Sequence, residues 1–110
     1  MYRYSTKPQD VFLRFDPTKT RALWLTFKQE ASGVEITRTK AELETAFGKM
    51  EQTEDGWYKF PVAFAQEESA SFDANEAVLV QARWSEYEGH SDMTDVYSFT
   101  VDDVLKEGII

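Results

Sequence analysis

Leu23-Trp24-Leu25-Thr26-Phe27 decides the fold class. Side chains along a strand point alternately to its two faces. Leu23, Leu25 and Phe27 therefore share one face, with Trp24 and Thr26 on the other, which is the signature of a half-buried strand. The same period recurs on both sides. Residues 77–85 set Val78, Val80, Ala82 and Trp84 against Leu79, Gln81 and Arg83. Residues 11–15 put Val11, Leu13 and Phe15 together, and residues 57–64 align Tyr58, Phe60, Val62 and Phe64. Val34 and Ile36 alternate with Glu35 and Thr37, and Tyr97, Phe99 and Val101 share a face.

Turn signals separate these runs. They are Asp16-Pro17-Thr18-Lys19, Ala31-Ser32-Gly33, Glu54-Asp55-Gly56 and Glu88-Gly89-His90-Ser91-Asp92. Proline fixes φ, glycine admits positive φ, and aspartate accepts local hydrogen bonds. Pro61 cannot donate to a strand ladder, so its strand is expected at an edge or with a bulge. The stretch 66–76 reads as an acidic loop anchored by Phe72. One interruption has helical spacing. Thr39 and Glu42 stand as in a capping box, Leu43 and Phe47 are one turn apart, and Gly48 follows as a C-cap. Asp102 is placed to cap a last helical turn through Leu105, ended by Gly108.

The expected fold is all-β: an antiparallel β-sandwich, Ig-like or related, of roughly six to eight strands, with at most one short helix near 40–47. The 110 residues make one domain, 1–110, with enough length to bury a core. There is no cysteine, which excludes disulfides and thiolate metal sites. No stretch has the apolar length of a transmembrane helix, and the first residues lack the apolar core of a signal peptide. No membrane partner is expected. The expected location is the bacterial cytoplasm during assembly, or a virion.

The net charge is −8. Residues 1–55 carry nine basic and nine acidic side chains, and residues 56–110 carry three and eleven, so 3 − 11 = −8 places the whole excess in the second half. Binding nucleic acid requires Lys and Arg to neutralise phosphate, so no nucleic-acid partner is expected. The acidity serves solubility, or it presents a face to a basic partner.

Catalytic constellations do not emerge. His90 is the only histidine, and three consecutive residues, His90-Ser91-Asp92, cannot converge as a triad. The carboxylate clusters Glu67, Glu68, Asp73, Glu76 and Glu86, Glu88, Asp92, Asp95 lack the spacing of an EF-hand loop. The five glycines are scattered, so no phosphate-binding loop is present. No enzyme activity, cofactor or metal is expected. Trp24 and Trp57 fall opposite their apolar neighbours and are candidate interaction residues, whereas Trp84 falls with the core. Val104, Leu105, Ile109 and Ile110 form an apolar C-terminal segment that packs on the core or on a partner.

Four segments, taken in order, carry a family resemblance: Leu25-Thr-Phe-Lys-Gln29, Phe64-Ala-Gln-Glu-Glu68 with Phe72, Val80-Gln-Ala-Arg83, and Val101-Asp-Asp-Val-Leu-Lys-Glu-Gly-Ile-Ile110. Together they resemble small proteins of prophage structural gene clusters in Gram-positive bacteria. More remotely, they are similar to the N-terminal sandwich domain of phage baseplate proteins. Residues 41–56 look longer than the equivalent stretch, and residues 88–96 are more acidic. The resemblance implies a non-enzymatic phage or prophage structural protein of the tail, neck or baseplate region. Its partners would be copies of itself or other phage structural proteins. Two other functions fit the residues: a small acidic phage-encoded inhibitor of a host protein, and a carbohydrate-binding β-module using Trp24 or Trp57.

Overall fold

A computed structural model describes residues 1–94 and 97–110. The strands are β1 (Gln9–Leu13), β2 (Ala22–Gln29), β3 (Val34–Thr39), β4 (Glu51–Gln52), β5 (Tyr58–Val62), β6 (Ala77–Ser85), β7 (Ser91–Met93) and β8 (Tyr97–Thr100). They form two antiparallel sheets, as the alternating pattern requires. The smaller has the order β1-β5-β4. The larger has β3-β2-β6, with β7 and β8 both on the far edge of β6.

The run that set the fold class sits at the centre. In β2, Leu23, Leu25 and Phe27 are buried while Trp24 is exposed. Its neighbour β6 buries Val78, Val80 and Ala82 in register, with Phe27 opposite Val80 and Leu25 opposite Ala82. From the small sheet come Val11, Leu13, Phe60 and Val62, which complete one core between the sheets. Aromatic edges lock the layers: Phe27 meets Phe64 at 4.9 Å and Phe47 meets Phe60 at 5.2 Å, both nearly perpendicular.

The turns follow their chemistry. Asp16 accepts from the Thr18 amide at 2.9 Å and opens a 3-10 turn over Pro17–Lys19. Gly33 and Gly56 take φ of 73° and 83°, which a side chain disfavours. The Thr39–Glu42 capping box forms reciprocally. The Thr39 amide donates to Glu42 Oε1 at 3.0 Å, and the Glu42 amide donates to Thr39 Oγ1 at 3.4 Å. Behind it lie a 3-10 turn, Ala41–Leu43, and a single helical turn, α1 (Glu44–Phe47).

Gly48 caps the end of α1 as expected, at φ −63°, its amide donating back to Glu44 without the left-handed conformation. Three local expectations are corrected. Pro61 lies on the central strand of its sheet, not on an edge. It is tolerated because two-residue β4 pairs only with Lys59 and Tyr58, leaving the strand open at Pro61. The acidic stretch after Phe64 holds a second helical turn, α2 (Gln66–Ala70), fastened at its start by the Ala65 amide on Glu68 Oε1 at 2.9 Å. Finally, no helical turn forms over 102–105. Asp102 is engaged by the other end of the chain: its amide donates to Met1, and its carbonyl accepts from the Arg3 amide. Backbone held in a bridge between Tyr2 and Asp102 cannot coil.

Candidate functional site

The outer face of the larger sheet carries one row of functional interest. Trp24 stands opposite Arg83, and Arg83 stands opposite Met93, so three adjacent strands bring them side by side. All three side chains point away from the core. Trp24 and Met93 are each 54% exposed, and the Arg83 guanidinium lies 5.6 Å from the Trp24 ring centre. Between them runs an open cleft of about 320 Å³, walled by Trp24, Arg83 and Met93 and floored towards Ser85 and Ser91. At the same end of the sheet, Trp84 stacks on Phe15 at 4.0 Å and is half-buried, and Tyr87 on the β6–β7 hairpin is largely exposed. The expected core position of Trp84 is thus met at the edge of the core.

Trp57 is a different case. It precedes β5, is half-buried, and carries the Arg14 guanidinium over its ring at 4.1 Å. Its free face is already occupied by a cation, so it serves as a stacking partner within the chain. Trp24 lies on β2 of the larger sheet and Trp57 just before β5 of the smaller one, and the cleft beside Trp24 does not include Trp57.

The C-terminal segment leaves β8 after buried Val101 and runs over the surface. Val104 is half-buried, but Leu105 and Ile110 are fully exposed and Ile109 is 53% exposed. These side chains do not close the sandwich core. The segment is nevertheless fixed: Arg3 pairs with Glu107 at 3.0 Å and with Asp103 at 3.5 Å, and the Ile110 amide donates to Gln66 Oε1 at 2.8 Å. Tyr2, 59% exposed, borders it.

The polar groups tie elements of the fold together. Glu68 joins Arg38 at 2.7 Å beneath Phe64, tying α2 to β3. Tyr97 reaches from β8 towards β1. Burial pushes its phenol up, opposed by the Phe12 backbone amide nearby, although Oη forms no well-shaped hydrogen bond among the described residues. Glu42 is held below the usual carboxylate range by the Thr39 amide and then the Thr39 hydroxyl. His90 lies exposed in its loop. Among the described residues no group of three metal-ligating side chains converges, and no helix is long and apolar enough to cross a membrane. Asp95, counted with the acidic hairpin in the sequence, lies outside the described residues.

Sequence reasoning missed Met93 and Arg83 as neighbours of Trp24, because their adjacency depends on strand register. It also missed Gln29, which is fully buried at the end of β2. Its Nε2 donates to the Asp73 carbonyl at 2.8 Å and the Glu76 carbonyl at 3.3 Å, and its Oε1 accepts from the Asp73 amide at 2.6 Å. No pattern in the sequence distinguishes this clamp from a solvated glutamine. No family model, curated protein or solved structure matches this chain.

Proposed function

We propose that this chain is a non-enzymatic structural protein that works by protein–protein assembly, of the kind found in phage or prophage structural clusters of the tail, neck or baseplate region. The observation that carries the assembly reading is the C-terminal segment. Its Leu105, Ile109 and Ile110 present apolar side chains to solvent from a backbone fixed by Arg3 and Gln66. Apolar groups held out in this way carry a hydration cost that a partner removes, at about 25 cal/mol per Å² buried. The phage context rests on the sequence resemblance.

The test is incorporation into particles. The chain is expected to co-purify with induced phage particles at a copy number comparable with tail components. Deleting residues 104–110 should abolish incorporation while leaving the β-sheet circular dichroism spectrum intact. A chain that is expressed but absent from purified particles would refute the structural role.

A further inference from the structure

We infer that this protein self-associates head to tail: the C-terminal segment of one copy docks in the Trp24–Arg83–Met93 cleft of the next. This rests on the assembly reading above and names the partner.

Three observations carry it. The first is that donor and acceptor are both exposed and apolar, and chemically matched. The cleft has room for a branched aliphatic side chain over the row of Trp24, Arg83 and Met93, and Leu105 projects one entirely into solvent. The second is that they lie apart. The cleft is at the Ala22–Ser85 end of β2 and β6, whereas the segment departs from Val101, next to Asn75 and Glu76 at the other end of β6. The six residue steps from Ala77 to Arg83 span about 20 Å. Leu105 lies four residues beyond Val101, a reach of at most about 14 Å, so it cannot enter its own cleft.

The third is charge complementarity. Arg83 in the cleft and Arg21 beside it have no carboxylate in ion-pair range among the described residues; Arg21 reaches only the Ser85 hydroxyl at 3.4 Å. The segment brings Asp102, Asp103 and Glu107, of which the last two share the single Arg3. Docking Leu105 would bring its flanking carboxylates to Arg83 and Arg21, which have no ion-pair partner among the described residues.

A contact between two different patches is heterologous, so it propagates into a ring or an open array instead of stopping at a dimer. One short segment in one cleft buries less than the roughly 1,200 Å² of a standard interface, so pairwise association should be weak, on the order of 10–100 μM.

The experiment is sedimentation equilibrium on the full chain and on three variants. Trp24→Asp disables the cleft, Leu105→Asp disables the segment, and Met93→Asp is a second cleft variant should Trp24→Asp not fold; circular dichroism monitors each fold. The wild type is expected to grow beyond dimer with concentration, and each variant alone to stay monomeric. An equimolar mixture of a cleft variant with Leu105→Asp is expected to form a one-to-one dimer that grows no further, because one intact cleft then meets one intact segment. A wild type that stays monomeric to about 1 mM overturns the proposal. So does a mixture that stays monomeric, or a cleft variant that associates like the wild type. If self-association fails while deletion of 104–110 still blocks incorporation into particles, the assembly role stands with a different partner. If both fail, both readings fall.

Discussion

Replacing Gln29 with leucine should destabilise the protein more than any other single polar-to-apolar change of similar size. Gln29 is completely buried, and its amide group is satisfied on both sides by the loop that leads from α2 into β6. Leucine nearly fills the volume but supplies no donor or acceptor. The partners are backbone groups, so they remain when the side chain is changed. The Glu76 carbonyl keeps a second bond, from the Val101 amide at 3.3 Å. The Asp73 amide and carbonyl lose the partners that the side chain gave them. Two stranded backbone groups at roughly 1–3 kcal/mol each, eased by some access of the loop to water, give a loss of about 2–4 kcal/mol. With an unfolding entropy of about 2.1 cal/mol/K per residue, a chain of this length falls in Tm by about 13 °C for a 3 kcal/mol loss. Thermal denaturation followed by circular dichroism measures the shift, and hydrogen exchange of the Asp73 amide reports the cause. The control is Gln52→Leu on exposed β4, expected to stay within about 0.5 kcal/mol of wild type. A Gln29→Leu protein that melts within about 2 °C of the control would refute the reasoning, since it would mean the loop finds other partners at no cost.

Phe60→Ala removes a fully buried ring that Phe47 packs against. It should cost about 3–5 kcal/mol in urea denaturation, a large part of the stability of a chain this size. Arg38→Ala leaves the half-buried Glu68 without its partner and frees α2 from β3; a loss of about 1–2 kcal/mol is expected, with faster proteolysis near residues 66–70. Glu42 has a depressed carboxyl pKa because its charged form accepts from the Thr39 amide and hydroxyl. Its contribution is therefore present above the ordinary carboxylate pKa and is lost as pH falls through the lowered, folded-state value. Over that acid window the wild type should lose more stability than Glu42→Gln, which a pair of melting curves against pH would show.

How much was legible in the sequence follows from which interactions are local. Period-two patterning located β2, β3, β5, β6 and β8 and assigned their buried faces, because alternation belongs to a single strand. The Thr39–Glu42 box was also legible, since both partners lie within one turn. The helical turn at Gln66–Ala70 escaped because its start, Ala65, cannot act as a side-chain cap. Glu68 alone fastens it, with Arg38 coming from another element. The extended C-terminal segment escaped for a similar reason. Asp102 has the chemistry of an N-cap, but the chain start claims its backbone first. Of the candidate site, Trp24 was accessible from alternation, and Leu105, Ile109 and Ile110 were singled out by composition, which left open whether they pack on the core or on a partner; only the structure shows them exposed. Arg83 and Met93 were not accessible, because only register places them beside Trp24.

Register also bears on what the acidity does. The acidic excess of the second half falls on α2, the loop before β6, the 86–88 hairpin and the C-terminal segment. On the larger sheet, Asp92 of β7 also lines the cleft beside Met93. Around Trp24 the outer face of that sheet carries Arg83 and Lys28 against Glu35, all brought there by pairing along β2. On the cleft side a single carboxylate, Asp92, accompanies Trp24 and Met93, whereas the C-terminal segment combines Asp102, Asp103 and Glu107 with its exposed Leu105, Ile109 and Ile110. A charge-driven inhibitor would engage a basic partner through the acidic loops, and its affinity would fall steeply with salt. Contacts through the cleft bury tryptophan and methionine and depend on salt only through Arg83 and Arg21. If segment and cleft pair as inferred, the acidic loops would disfavour contacts between copies made through those loops. On this view the net charge of −8 narrows the modes of association instead of driving them.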